Sequence, residues 1–257
     1  MSVPAGDSRD PGAVGGPIAG DLARAPAVQA MFARIAPGYD RANLWMSLGI
    51  DRAWRRQAIR ALGPAADGDM LDLCAGTLDF SLALLGRARS VVAADFCAPM
   101  LEVGRARLPV GANVRIVVAD ARALPLPDAS VDGIVAGFGI RNVPEPERAV
   151  AEALRVLRPG GRFVVVDFFR PTSFMARFFD RVWNRAVLPR VGGFITGDYD
   201  AYRYLVSSMG AWSDRVGFEG MCRGAGFQAA EGWELFPPVA SLVVATKGPT
   251  AEKADAP

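Results

Sequence analysis

Between residues 70 and 168 the chain alternates short apolar runs with longer stretches that are apolar on one side only. Runs at 70–74, 90–94, Val114–Val118, Val131–Ala136 and Arg162–Phe168 have the length and composition of buried strands. Between them, apolar residues recur every three or four positions over 79–87, around Met100 and Leu101, and over Glu147–Leu157, which predicts helices. Parallel strands joined by helices need right-handed crossovers, so the pattern predicts an α/β fold with a doubly wound sheet. Leu157-Arg158-Pro159-Gly160-Gly161 is expected to end the last of these helices, because proline cannot continue it and glycine accepts positive φ.

Outside this block the pattern changes. A helical pattern starts at Val28 and stops before Pro37-Gly38, and further helical stretches follow over Tyr39–Met46 and through Trp54 and Ile59. These precede the first core strand and are expected to cap its carboxyl edge as a lid. After strand five, residues 173–188 place Met175, Phe178, Phe179, Val182, Trp183, Ala186 and Val187 on one broad face, with Arg177, Arg181 and Arg185 opposite. The expectation is a core-facing helix with a solvated basic side; the alternatives are a lid over an apolar substrate or a helix resting on an anionic membrane. A helix near 213–225 leads through Gly226 to strands at 227–235 and 240–246, and Pro237-Pro238 between them suits an antiparallel hairpin. One domain over 27–247 is therefore expected, with a helical insertion at about 170–212. Residues 1–26, rich in Gly, Pro and Ala, read as a disordered arm without a signal core, and 248–257 as a disordered tail.

Composition narrows the chemistry. The 257 residues leave ample length for a large core, and a net charge of +2 gives no argument for nucleic acid. The three cysteines, Cys74, Cys97 and Cys222, lack paired spacing and read as thiols of a reducing compartment, with no metal site expected. No run of about 18 residues is free of charge, so nothing is expected to span a membrane, and the expected location is cytoplasmic. Histidine is absent, so proton transfer must rely on carboxylates, tyrosine, arginine-held water or the substrate.

The candidate site centres on Met70-Leu71-Asp72-Leu73-Cys74-Ala75-Gly76-Thr77-Leu78-Asp79. An apolar run, an acid, a small-residue loop and a helix start let the backbone approach a ligand beside unpaired N–H groups. Asp95, nineteen positions beyond Gly76, closes the second apolar run, which suits a carboxylate reaching a ribose hydroxyl pair. Together they point to a nucleoside-carrying cofactor. A nicotinamide site fits poorly, because Gly76 lacks the partners of G-x-G-x-x-G.

Further segments carry a resemblance. Phe32-Ala33-Arg34-Ile35-Ala36-Pro37-Gly38-Tyr39-Asp40, Leu48-Gly49-Ile50-Asp51-Arg52-Ala53-Trp54-Arg55, Phe138-Gly139-Ile140-Arg141-Asn142-Val143 and Tyr202-Arg203-Tyr204-Leu205, with the hub, run through residues 28–247. On these residues the chain resembles the ubiquinone/menaquinone-biosynthesis C-methyltransferases, within the class I (Rossmann-like) S-adenosylmethionine-dependent methyltransferases. The resemblance implies a mostly parallel sheet with a C-terminal antiparallel hairpin, S-adenosyl-L-methionine as cofactor and a lipophilic quinol such as demethylmenaquinol as acceptor. It also implies that Gly76, Thr77, Asp95, Asp120, Ala121 and Gly137 line the cofactor site. Asp72 would hold the methionine ammonium, Asp120 the adenine amino group, Ala121 the ring through its N–H, and Gly137 would leave room for the methionine moiety. Arg141 would stabilise the phenolate that makes a ring carbon nucleophilic, Asn142 would fix a ring oxygen, and Tyr39 would close the pocket. A homodimer and peripheral attachment at the inner face of the membrane are both left open.

Two departures stand out. The family carries glycine where this chain has Leu78, and a more polar, histidine-containing run where it has Ser208-Met209-Gly210-Ala211-Trp212. If Leu78 points into the niche, the fold is expected to serve as a cofactor-free binding subunit. If it turns away into the first helix, cofactor binding is expected to survive; within the enzyme reading, another small aromatic acceptor is the alternative substrate.

Overall fold

The interior of the sheet forms where both faces of a strand are apolar. In the computed structural model, which describes residues 25–179, 181–182 and 197–249, strand β1 (Asp69–Leu73) buries every side chain from Met70 to Leu73. It pairs in parallel with β2 (Ser90–Asp95) on one side and β4 (Val131–Gly137) on the other. Strands β3 (Val114–Val118), β5 (Leu157–Asp167), β6 (Ala229–Glu234) and β7 (Ser241–Thr246) complete a seven-stranded sheet in the order β3-β2-β1-β4-β5-β7-β6. Only β7 runs against its neighbours, β5 and β6. The chain reverses its direction of winding between β1 and β4, so the cleft where ligands bind in such sheets lies at the carboxyl ends of β1, β2 and β4.

Helices cover both faces. Leu71, Ile134, Phe163 and Val243 pack against α6 (Pro146–Val156) and α9 (Arg215–Ala225), and Met70, Val135, Val164 and Leu242 against α3 (Asp51–Ala61) and α4 (Asp79–Leu84). Helix α6 shows the local logic: Pro146 opens its first turn, and Ala149, Val150, Ala153 and Val156 form the buried stripe. A separate apolar cluster joins α1 (Ala25–Ile35), α5 (Ala98–Arg105) and α8 (Tyr199–Ala211) above the carboxyl edge, through Phe32, Met100 and Leu205 among others. Helix α2 (Tyr39–Ser47) adds Ala42 to the same cluster, so α1, α2 and α8 pack as one group. Helix α3 is not part of it: Trp54 and Ala58 are buried against the flank of the sheet.

Several expectations are corrected. The first described helix, α1, starts at Ala25, close to the expected helical start. Helix α4 stops at Leu84. The Leu-Arg-Pro-Gly-Gly segment does not terminate a helix at proline; α6 ends at Val156 and the segment opens β5, whose pairing with β4 jumps from Val131–Leu157 to Gly133–Arg162. Of the stretch expected at 173–188 the structure describes 173–179, with helix α7 (Phe174–Phe179), and 181–182; Met175, at 56 % exposure, and Val182, at 46 %, are not core residues. Trp183, Arg185, Ala186 and Val187 lie outside the described residues, as do the arm up to residue 24 and the tail from 250. Among the described residues no helix is long and apolar enough to cross a membrane.

Candidate functional site

The loop after β1 is held in an unusual shape. Cys74, Gly76 and Leu78 all adopt positive φ, at 57°, 51° and 66°. Only the glycine takes this without steric cost, so surrounding contacts must impose it on the other two. Ala75 N–H donates to the Ala94 carbonyl at 3.1 Å, and Leu78 N–H to the Ala75 carbonyl at 2.8 Å. The Asp95 carboxylate then ties the loop to β2, accepting from Gly76 N–H at 2.9 Å through one oxygen and from Cys97 N–H at 2.8 Å through the other.

Leu78 points away from the cleft. Its side chain is fully buried among Ala75, Ala93 and Leu101, and it is absent from the cavity wall. The space comes from Gly104 on α5, where a Cβ would lie 2.4 Å from the Leu78 Cγ and 2.7 Å from the Thr77 carbonyl carbon. The leucine is therefore a core residue between β2 and α5, which removes the ground for expecting a cofactor-free subunit.

A cavity opens over this loop, with about 1100 Å³ of space including its solvent-filled mouth. Asp72, Gly76, Thr77, Asp95, Asp120, Ala121 and Gly137 all line it, as do Tyr39 and Asn142. The structure thus brings together every residue expected at the site except Arg141.

The polar groups differ in state. Burial raises Asp95 above the usual carboxylate range, against the opposing pull of the N–H groups of Cys97 and Gly76. Asp72 accepts from Ser81 N–H at 2.8 Å and Ser81 Oγ at 2.7 Å, yet burial pushes it up to about 7, helped by Asp79 and Asp95. Burial and the same acidic surroundings raise the Cys74 thiol, so it is no thiolate nucleophile. Asp120 is held below its ordinary value by Arg122, which donates to it from Nη2 at 2.7 Å and reaches Glu145 at 2.9 Å. Gly137 is small for a reason other than the expected one: a Cβ there would lie 2.2 Å from the Phe80 ring.

Arg141 lies behind the wall. Its Nη1 donates to Asp167 Oδ1 at 2.6 Å and to the Phe138 carbonyl, and its guanidinium sits 5.5 Å from the centre of the Phe168 ring. Its Nε is buried without a partner. The positive charge is nonetheless felt inside the cavity, where it counteracts the burial that raises the Tyr39 hydroxyl. Asn142, next in the chain, turns the other way: it lines the cavity and accepts from the Tyr204 hydroxyl at 3.2 Å.

Sequence reasoning missed Asp167, Asn43 and the charges around Thr77. Asp167 ends β5 as Asp95 ends β2, a signal that was present but unread. Asn43 stands one turn after Tyr39 on α2 and bonds to its hydroxyl, which spacing alone could have found. Thr77 donates its hydroxyl to Asp40 at 2.6 Å, so that hydroxyl faces the lid helix.

Known proteins can now be set beside this geometry. The ubiE/COQ5 methyltransferase family matches residues 21–247. A demethylmenaquinone methyltransferase of Clavibacter sepedonicus is 41% identical over 223 residues, 86% of this chain and 91% of that one. A ubiquinone/menaquinone biosynthesis C-methyltransferase of Rubrivivax gelatinosus is 37% identical over 88% of this chain and 89% of that one. Among solved structures, an S-adenosylmethionine-dependent methyltransferase of Thermotoga maritima superposes with a TM-score of 0.62 at 22% identity, covering 86% of this chain and 99% of that one, a likeness of fold. By sequence over nearly all its described length, and by sheet order, the chain belongs to the ubiE/COQ5 methyltransferase family.

Proposed function

We propose that this protein is an S-adenosylmethionine-dependent C-methyltransferase that methylates a ring carbon of a demethylated quinol in menaquinone or ubiquinone biosynthesis. The observation that carries the reading is the cavity itself: acids and a glycine loop form one wall, and Tyr39, Asn43 and Asn142 form the other, with Leu78 out of the way. Names and lengths of the relatives agree with it.

The residues present fit this cofactor. Asp95 is held by the backbone N–H groups of Gly76, Cys97 and Phe96, and a carboxylate's roughly four lone-pair sites still leave acceptor capacity for a ribose hydroxyl. Asp72, poised near neutrality by burial, becomes the favoured partner of an incoming ammonium, which draws its acidity back down. Asp120 and Ala121, both in the cavity lining, would take the adenine, with Arg122 holding the Asp120 carboxylate ionised. S-adenosylmethionine, when bound, supplies an electrophilic methyl group on a positively charged sulfur.

The acceptor side needs a nucleophilic ring carbon. Loss of the neighbouring hydroxyl proton puts negative charge into the ring, and the fixed Arg141 cation favours that loss as it does at Tyr39. Arg141 exerts this effect through space and through its position under Phe138, while Asn142 and Tyr39 meet the ring. The new bond would join the methyl group to the ring carbon as its bond to sulfur breaks and leaves a neutral thioether, S-adenosylhomocysteine, and the hydrogen displaced from that carbon would leave as a proton. No histidine exists to take it, so a cavity carboxylate, Tyr39 or water must carry it. A lipid-tailed acceptor calls for peripheral contact with a membrane, and the exposed Phe174 and Met175 of α7 beside Arg177 suit it.

The test is incubation of the purified protein with methyl-labelled S-adenosylmethionine and a reduced demethylated quinone. A product heavier by one labelled methyl on carbon supports the reading. Transfer to oxygen, or none, contradicts it.

A further inference from the structure

The hub loop and the lid helix are joined by charges that lie outside the cavity's recognised chemistry. Asp40, next to Tyr39 on α2, accepts from the Thr77 hydroxyl at 2.6 Å and from Arg107 Nη1 at 2.7 Å. The same Arg107 nitrogen donates to the Thr77 carbonyl at 3.0 Å, and its Nη2 reaches Asp79 at 2.7 Å. Arg55 of α3 binds Asp79 at 2.8 Å and also pairs with Asp51 of its own helix. Asp79, at the first turn of α4, is thus a pivot on which two arginines from separate elements converge, at a helix end where negative charge is favoured.

We propose that Asp40 and Arg107 are positioning residues that latch α2 to the Gly76–Leu78 loop, so that lid closure over the acceptor depends on the loop's shape. The reasoning is geometric. Tyr39 and Asn43, both cavity residues, ride on the helix that carries Asp40. Thr77 belongs to the loop whose neighbour Gly76 is held by Asp95. Arg107 contacts both partners at once, so displacing the loop shifts the support of the lid. Arg107 and Asp40 are each about one-third exposed, at 35% and 33%, so water reaches the latch and it can open. Alternative uses are weaker. Arg107 does not line the cavity, and its donors are divided between two acids and a carbonyl, leaving no fork aimed at a free anion. The coupling to ligand rests on the function proposed above; the latch itself does not.

Two loss variants and one conservative variant separate these. Asp40→Asn keeps the shape of the side chain and removes its charge, and Arg107→Ala removes both bridges; Arg107→Lys retains charge without the fork. With S-adenosylhomocysteine as probe, dissociation followed by stopped flow should quicken about tenfold in Arg107→Ala and Asp40→Asn, and less in Arg107→Lys. Acceptor KM should rise more than kcat falls, and raised salt should mimic part of the effect in the unaltered protein. Limited proteolysis without any ligand should cut residues 39–47 faster in both variants while thermal unfolding of the whole stays close to wild type. Unchanged dissociation, KM and cleavage in a folded Arg107→Ala, or in Asp40→Asn should the alanine variant fail to fold, would overturn the proposal. If the unaltered protein binds no S-adenosylhomocysteine while cleavage still quickens in the variants, the latch stands and the cofactor reading falls.

Discussion

Replacing Leu78 by glycine restores the residue usual in the family, and the structure predicts that this restoration destabilises the protein. Two effects oppose one another. Leu78 sits at φ 66°, ψ 27°, where a β-carbon costs roughly 1–2 kcal/mol that glycine escapes. Against this, its isobutyl group is fully buried against Ala93, Leu101 and the bare Gly104 backbone. Removing a buried leucine side chain costs about 2–5 kcal/mol, and the upper part of that range applies where helix and strand cannot close the gap. The net expectation is a loss of about 1–4 kcal/mol, read by urea unfolding at constant slope. Leu78→Ala adds a control: it creates nearly the same void but keeps the strain, so it should be less stable than glycine by about 1 kcal/mol. Affinity for S-adenosylmethionine should change little in the folded fraction of either variant. A glycine variant as stable as the wild type would refute the packing argument. An alanine variant more stable than glycine would refute the strain, and a large affinity gain in both would mean that the leucine reaches the ligand after all.

Gly104→Ala should also destabilise, because its methyl meets the Leu78 side chain and the Thr77 backbone; thermal unfolding and a cofactor titration should both worsen, since the loop must shift. For Asp72, the folded value of about 7 lies above the unfolded value near 3.8, so the folded state retains an extra proton between those limits. Its contribution to stability is complete below about pH 4 and is lost as pH rises through about 7, and the difference in stability between Asp72→Asn and the ligand-free wild type should change across that window in the variant's favour. Arg141→Ala strips the partner from the fully buried Asp167 carboxylate and should cost about 3–5 kcal/mol of stability. At a temperature where that variant is folded, cofactor binding should persist and methyl transfer should fail; retained transfer would contradict the electrostatic role given to the arginine.

The alternation of strand and helix was legible because a buried parallel strand is apolar throughout and a covering helix on one side only. Val114–Val118 was read without error, and the other strands between 70 and 168 to within one residue, apart from β5. The start of β5 was misread because Arg158–Gly161 lies in an irregular stretch of strand, and a pairing shift leaves no periodic trace. The face of α7 was misread because periodicity reports that a helix has an apolar side without saying what it meets. At the site, positions at strand ends were readable, since Asp95 and Asp120 each follow an apolar run. The direction of Leu78 was not, because it depends on Gly104, twenty-six residues later on another element. Nor was the placement of Arg141 behind Phe138, which Asp167 decides from the end of a neighbouring strand.

The central claim is that the loop of Cys74, Gly76 and Leu78 holds an adenosyl group against Asp95 with the leucine buried elsewhere. Calorimetric titration of the purified chain with S-adenosylmethionine tests it most directly. The account predicts saturable heat from one site per chain that disappears in Asp95→Ala. Absence of heat up to about 1 mM, where a site of roughly −4 kcal/mol would half fill, or heat undiminished by that substitution, would contradict it.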